Sequence, residues 1–342
     1  MPNTELIQLY DLADQLYRVA PWQWMLESPV IGVKHPESGE MGYLSVMGAA
    51  GNHRSIALYL GENALDRFNL IQEAGGLGID LSQEDVMALI LESRQVQVSF
   101  ADRDELFKPE LAEIKALGRK YRGGNWPCFR SFKAGWAPLI ADGVERAWLR
   151  IGMEQLLAVA PGLQGDYFGD SLVGPKGEVF SRECKDEVWT DTWTPAQEGI
   201  FAYPTPEPQE FLATKVGMHK VKQHLECQFQ IIPNPIGTPG RSATFPYFLC
   251  VVDAESGMVL GMEILSVEKQ PYDELIASVP DCFLRLCDRH SIRPASIRVA
   301  TQTTQALLEK TAKIIKVPLL RQPSLPLLNE AITGMMELMY PG

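Results

Sequence analysis

The sequence has no Cys-x-x-Cys pair, no Asn-x-Ser/Thr sequon and only 5 histidines in 342 residues. Its six cysteines (Cys128, Cys184, Cys227, Cys250, Cys282 and Cys287) are scattered, which reads as reduced thiols and not as a disulfide frame. Long apolar runs are also missing. The longest, Phe245 to Val252, is eight residues and holds a proline and a tyrosine, far short of the ~20 that a bilayer span needs. No membrane association is therefore expected. The opening MPNTELIQLY has neither a basic n-region nor an apolar h-region, so the expected compartment is a bacterial-type cytoplasm. Absent too are G-x-x-x-x-G-K-[ST], G-x-S-x-G and H-E-x-x-H, which removes the usual signatures of an NTPase, an α/β-hydrolase and a zincin. Ala74-Gly-Gly-Leu-Gly-Ile79 lacks dinucleotide-binding spacing and reads as a helix stop.

What is present is an acidic, well-mixed globular composition. Lys and Arg number 31 against 43 Asp and Glu, a formal charge of -12, which disfavours nucleic acid and anionic lipid as partners. The acidity is uneven. Between Glu113 and Asp142 there is no acid, while Lys115, Arg119, Lys120, Arg122, Arg130 and Lys133 alternate with Tyr121, Trp126, Phe129, Phe132 and Trp136. Cations interleaved with aromatics are the composition that pairs phosphates and stacks bases. Arg119, Lys120, Arg122, Arg130 and Lys133 are accordingly the candidate nucleic-acid contacts. His219, His224 and Cys227 are the tightest group of metal-ligating types, but they lack a further ligand for a tetrahedral zinc.

Periodicity gives the elements. Leu6, Leu9, Tyr10, Ala13, Leu16 and Tyr17 recur at helical spacing, predicting an amphipathic helix that ends before Pro21. Three strands follow as a meander over 30–34, 41–47 and 55–60, then helices over 62–74 and 83–93, the second opening with the capping pattern Ser82-x-x-Asp85. A strand is expected at 95–100, a helix at 110–120, a strand near 129–133 and a long helix from Asp142 to about Val159. Trp22 and Trp24 read as a plug between helix and sheet. Residues 178–194 suggest a hairpin, and Pro204, Pro206 and Pro208 mark a boundary. Beyond it come strands at 225–232, 245–252 and 258–265, a helix over 272–289 interrupted at Pro280, and then strand, helix, strand, helix to Met339. The expected organisation is α+β: a first domain (1–161) with an antiparallel sheet, a β-rich connector with a proline linker (162–208), and a mixed-sheet domain (209–342). An E-S-G turn occurs both at Glu37-Ser-Gly39 and at Glu255-Ser-Gly257, the same hairpin chemistry used twice.

The segments LYDLADQLYRVAPWQWM, GYLSVMG, ALYLG and FPYFLCVVDAESGMVLGMEIL resemble a family of bacterial two-domain proteins of unknown function, a likeness that spans nearly the whole chain and implies no activity. The last hundred residues are similar to the ribonuclease H-like fold of integrases and transposases, in the order strand, Asp253, hairpin, helix, strand, helix, strand, helix with Glu330. That resemblance implies two divalent metals, Mg²⁺ or Mn²⁺, held by carboxylates from the first strand, the end of the fourth strand and a late helix. Asp253 and Glu330 would match the first and third, with Glu263 nearby. The second is missing, because Ala300-Thr-Gln-Thr-Thr304 holds no carboxylate, and without it a Mg²⁺ site loses charge and geometry. The sequence therefore points to a non-catalytic binding or regulatory module without a cofactor, whose partner is a protein or small molecule. A metal-dependent phosphodiesterase or nuclease using Asp253 with Glu263 or Glu330 as catalytic carboxylates is the enzymatic alternative.

Overall fold

In a computed structural model of the protein, the described residues are 4–51, 53–61, 63–74, 81–195 and 202–339. The glycine cluster at 75–80 lies outside them. Along the chain come α1 (Thr4–Val19), β1 (Ile31–Lys34), β2 (Met41–Met47), β3 (Ser55–Leu60), α2 (Ala64–Ala74), α3 (Gln83–Glu92), β4 (Gln95–Ala101), α4 (Lys108–Ala116), β5 (Trp126–Phe132), β6 (Leu139–Ile140), α5 (Gly143–Leu163), β7 (Val179–Lys185) and β8 (Val188–Thr194). There follow α6 (Glu210–Gly217), β9 (Val221–Ile231), β10 (Tyr247–Asp253), β11 (Val259–Leu265), α7 (Tyr272–Arg289), β12 (Ile292–Val299), α8 (Gln302–Ile315), β13 (Leu319–Arg321) and α9 (Pro326–Met339). The fold is α+β. Contacts divide it into two compact units, the first made of Met1–Glu73, Glu92–Phe201 and Thr238–Ala243, the second of Ala74–Leu91, Ala202–Gly237 and Thr244–Gly342.

The first unit holds an eight-stranded sheet in the order β6-β5-β4-β3-β2-β1-β7-β8. It is antiparallel except where β7 lies parallel to β1, with Gly32 beside Ser181. A Cβ on Gly32 would fall 2.1 Å from the Ser181 hydroxyl oxygen and 3.0 Å from its Cβ, so only glycine permits this approach. The hairpin expected as part of a connector is thereby an integral part of the first sheet. Strand alternation sends Leu44, Val46, Ile56, Leu58, Val96 and Val98 into one core with the buried faces of α1 (Leu9, Ala13, Leu16) and α5 (Leu149, Met153, Leu156). Each such leucine contributes about 2 kcal/mol when fully removed from water. Trp22 is buried in this core against Tyr17 and Phe100, as a plug. The reciprocal Asp142–Glu145 capping box opens α5, and the helix runs on through Pro161. On the other face Tyr43, Ala57 and Tyr59 meet Leu65 and Phe68 of α2.

The second unit holds a five-stranded sheet, β11-β10-β9-β12-β13. β10 is antiparallel to both its neighbours, and β9, β12 and β13 are mutually parallel. The Thr304 hydroxyl pins α8 to β9 by accepting from the Phe229 amide (3.0 Å) and donating to its carbonyl (3.2 Å). Contrary to expectation, α7 is continuous through Pro280, since one missing N–H is tolerated where the helix is held by ten buried side chains. Gly39 and Gly257, which end the two E-S-G turns, both sit at φ +72°, the left-handed conformation that favours glycine.

One helix departs from chain order. Residues 83–91 of α3 belong to the second unit, where Asp85, 1% exposed, accepts from the Gln302 amide (2.9 Å), the Thr303 amide (3.0 Å) and the Thr303 hydroxyl (2.7 Å). A carboxylate there satisfies otherwise unpaired N–H groups of the first turn of α8 and complements its dipole.

Candidate anion-binding cavity

The acid-free stretch leaves α4, turns at Gly118 and Gly123 (φ +67° and +54°), and enters β5 at Trp126. This path curls around a cavity of about 590 Å³ lined by Arg103, Lys115, Arg119, Lys120 and Arg122, with Tyr121, Trp126, Leu111 and Ile114. No carboxylate lines it. The Arg103 guanidinium lies 5.9 Å from the centre of the Trp126 ring, and Tyr121 packs edge-on against Trp126 at 5.8 Å. Cations above and beside a half-buried ring bind negative groups and planar ones together.

The five cations are not equivalent. Arg119 is committed to α1: it donates to Asp14 at 2.6 Å and to the Ile7 carbonyl at 3.2 Å, and it pairs with Asp11. Burial disfavours its charge, but the bond it donates to Asp11 and the nearby Tyr121 hydroxyl hold its pKa above the usual arginine value. The Tyr121 phenol is pushed well above its ordinary pKa by burial first and by Asp14 second, so it stays neutral. Arg103, Lys115, Lys120 and Arg122 stand in no ion pair with a described residue. Lys120 and Arg122 are exposed. A second cavity of the first unit, of about 310 Å³, mixes Glu5 and Glu113 with Arg146 and Arg150.

Of the nucleic-acid candidates, the structure thus gathers Arg119, Lys120 and Arg122. Arg130 turns away to a buried pair, bonding both oxygens of Glu110 (3.2 and 3.1 Å) and the Glu105 carbonyl while stacking on Phe107 at 4.3 Å. Lys133 pairs with Glu145 at 2.9 Å. Sequence reasoning missed Arg103, which lies outside the acid-free stretch and joins it only through the fold.

The carboxylates of the metal reading are placed as follows. Asp253 ends β10, the second strand of its sheet, and one of its oxygens accepts from the Glu255 amide (3.1 Å), the Ser256 amide (2.7 Å) and the Ser256 hydroxyl (2.7 Å). Burial alone would raise its pKa, and the Ser256 and Glu255 bonds overcome this to hold it below the usual carboxylate value. Glu263 stands opposite Leu249 on β11, four residues and so about 13 Å along the strand from Asp253, and bonds Arg289 at 3.4 Å. Glu330 is exposed on α9. Among the described residues no group of three or more His, Cys, Asp or Glu is placed to hold a metal. His219 bonds Asp288 and His224 bonds Ser296. The carboxylate on the first strand is Glu226, 3% exposed, whose Oε2 accepts from the Leu328 amide in the first turn of α9 at 3.0 Å. Counting strands from β9 instead of β10 identifies it.

Residues 7–174 match the model of a domain of unknown function, DUF7309. Residues 215–336 match a second, DUF6930. The chain is therefore similar to two uncharacterised families in tandem. No curated protein matches it. The DUF7309 match includes α3, so that segment supplies a helix to the unit in which the DUF6930 segment folds. Among the described residues no helix is long and apolar enough to cross a membrane.

Proposed function

We propose that this protein is a non-catalytic binding module of the cytoplasm, and that its ligand is a small anion carrying a planar ring, of the nucleotide class. One observation carries the reading: four cations with no ion-pair partner among the described residues and two aromatic rings surround one cavity in a chain of charge -12. A volume of about 590 Å³ falls in the range of small-molecule sites, roughly 300–1,000 Å³. Phosphates would pair with Lys120, Arg122 and Lys115, while a base would stack on Trp126 opposite Arg103. The net negative charge favours a compact anion over a polymer, whose remaining phosphates would be repelled. Six free cysteines, five of them buried, suit a reducing compartment.

The test is titration calorimetry with nucleoside mono-, di- and triphosphates, adenosine and pyrophosphate. Saturable binding of a nucleotide is expected, weakened about tenfold or more by Arg122→Ala or Lys120→Ala, each tenfold being about 1.4 kcal/mol. Lys133→Ala serves as the unchanged control. No saturable binding at millimolar nucleotide or pyrophosphate overturns the proposal. A single-stranded oligonucleotide that binds more tightly than any mononucleotide, with a steep salt dependence, replaces it with nucleic-acid binding.

A second reading concerns the second unit. Counting β9 to β13 as strands 1 to 5, the order is 3-2-1-4-5 with strand 2 antiparallel to its neighbours, which supports a ribonuclease H-like arrangement. Nuclease chemistry draws no support from it, because Glu226 is spent on capping α9, Ala300 replaces the second carboxylate and Glu330 is exposed. A metal-dependent cleavage of a fluorescent oligonucleotide that is abolished by Glu226→Gln would reinstate the phosphodiesterase.

A further inference from the structure

The free edge of the eight-stranded sheet is β8, and among the described residues nothing pairs with its outer side. Natural edge strands are blunted by charged side chains, lysine above all, by proline, bulges or short length, because unpaired N–H and C=O groups recruit another strand. β8 has no lysine, proline or bulge, and its single charge, Asp191, is paired with Arg182 of β7: it is seven residues, V-W-T-D-T-W-T, in unbroken register with β7. Val188 is 61% exposed and Trp193 46%. The strand is also nearly palindromic about Asp191. Trp189 and Trp193, and Thr190 and Thr192, lie at equal distances from it, and only Val188 and Thr194 differ.

We infer that β8 pairs antiparallel with β8 of a second copy of this chain, with the two-fold axis at Asp191. A closed two-fold interface must be self-complementary, and the palindrome supplies this. Trp189 of one copy then faces Trp193 of the other, Thr190 faces Thr192, and Val188 faces Thr194, each pair occurring twice. Alternation puts the four tryptophans on one face and the threonines on the other. Aromatic and threonine cross-strand pairs are among the favourable ones. The two Asp191 meet at the axis, an unfavourable contact on its own. Each is already bonded by Arg182, its partner across β7, so the axis carries two carboxylates and two guanidiniums with no net charge. Moving the axis one residue either way sets Asp191 against a tryptophan, which fixes the register.

Sedimentation velocity on the full chain at about 100 µM is expected to show a dimer. The variant Thr190→Lys/Thr192→Lys gathers four ammonium groups at the axis and is expected to be a folded monomer, its Tm within a few degrees of wild type. In a Cys184→Ser background, mild oxidation should cross-link Asp191→Cys to itself, and Val188→Cys should cross-link far less, because position 188 faces 194. A monomeric wild type overturns the inference, and so does a dimer that persists in the folded double-lysine variant. Should that variant fail to fold, the cross-link decides: an Asp191→Cys yield no higher than that of Val188→Cys overturns it.

Discussion

Three hydrogen bonds converge on one carboxylate oxygen of Asp253, and the whole set is local to a five-residue turn. Asp253→Ala is expected to lower stability by about 1–3 kcal/mol, the usual loss for bonds to a charged acceptor, and millimolar Mg²⁺ or Mn²⁺ to leave the Tm of wild type and variant alike unchanged. A metal-induced Tm rise present only in the wild type would return Asp253 to the role of ligand. The sign of its pH dependence follows from its depressed pKa: the stability it contributes is complete above the unfolded aspartate value of about 3.9 and is lost as pH falls through the lower folded value. Asp288, held low first by Lys215 and then by His219, behaves alike. The acid limb of a Tm-against-pH curve should therefore be shallower below about pH 4 in Asp253→Asn than in wild type. Gly32 gives the opposite kind of prediction, from crowding. Gly32→Ala drives a methyl into Ser181 and should cost roughly 1–3 kcal/mol by chemical denaturation. Gly32→Ala with Ser181→Ala should recover part of that loss.

At the scale of elements, most of the chain is legible in its periodicity. The meander β1–β3, the β10–β11 hairpin, the Asp142 capping box and the alternating elements from β12 to α9 follow from local pattern, because each depends on residues within a few turns of one another. The element that escapes is α3. Its Ser82-x-x-Asp85 pattern does form a local cap, with the Asp85 amide bonding the Ser82 hydroxyl at 3.0 Å. Yet the Asp85 carboxylate reaches 217 residues along the chain to open α8. A side chain has one sequence neighbourhood but can serve two helices. Asp85→Ala leaves the amides of Gln302 and Thr303 without their acceptor, and a Tm loss equivalent to about 2–4 kcal/mol is expected. Asp85→Asn, which keeps one acceptor oxygen, should lose less. Equal losses for the two variants would show that the packing of α3 matters and that its charge does not.

For the whole molecule, 46% hydrophobic residues and no long apolar run mark a globular chain, and it is periodicity that makes it α+β. The acid-free stretch was visible too, since a run without acid needs no fold to be counted. Its division into paired and unpaired cations was not. Arg130 and Lys133 look identical to Lys120 and Arg122 in sequence, and only the fold brings Glu110 and Glu145 against the first two and leaves the last two exposed beside Trp126. The same division holds for the carboxylates, where strand order, and not residue type, puts Glu226 on the first strand and Asp253 on a turn. Local pattern and composition act over a few residues and so are written in the sequence. Which charges meet, which edge stays open and which strand is first depend on contacts between separate elements, from a dozen to more than a hundred residues apart, and those only the tertiary structure decides.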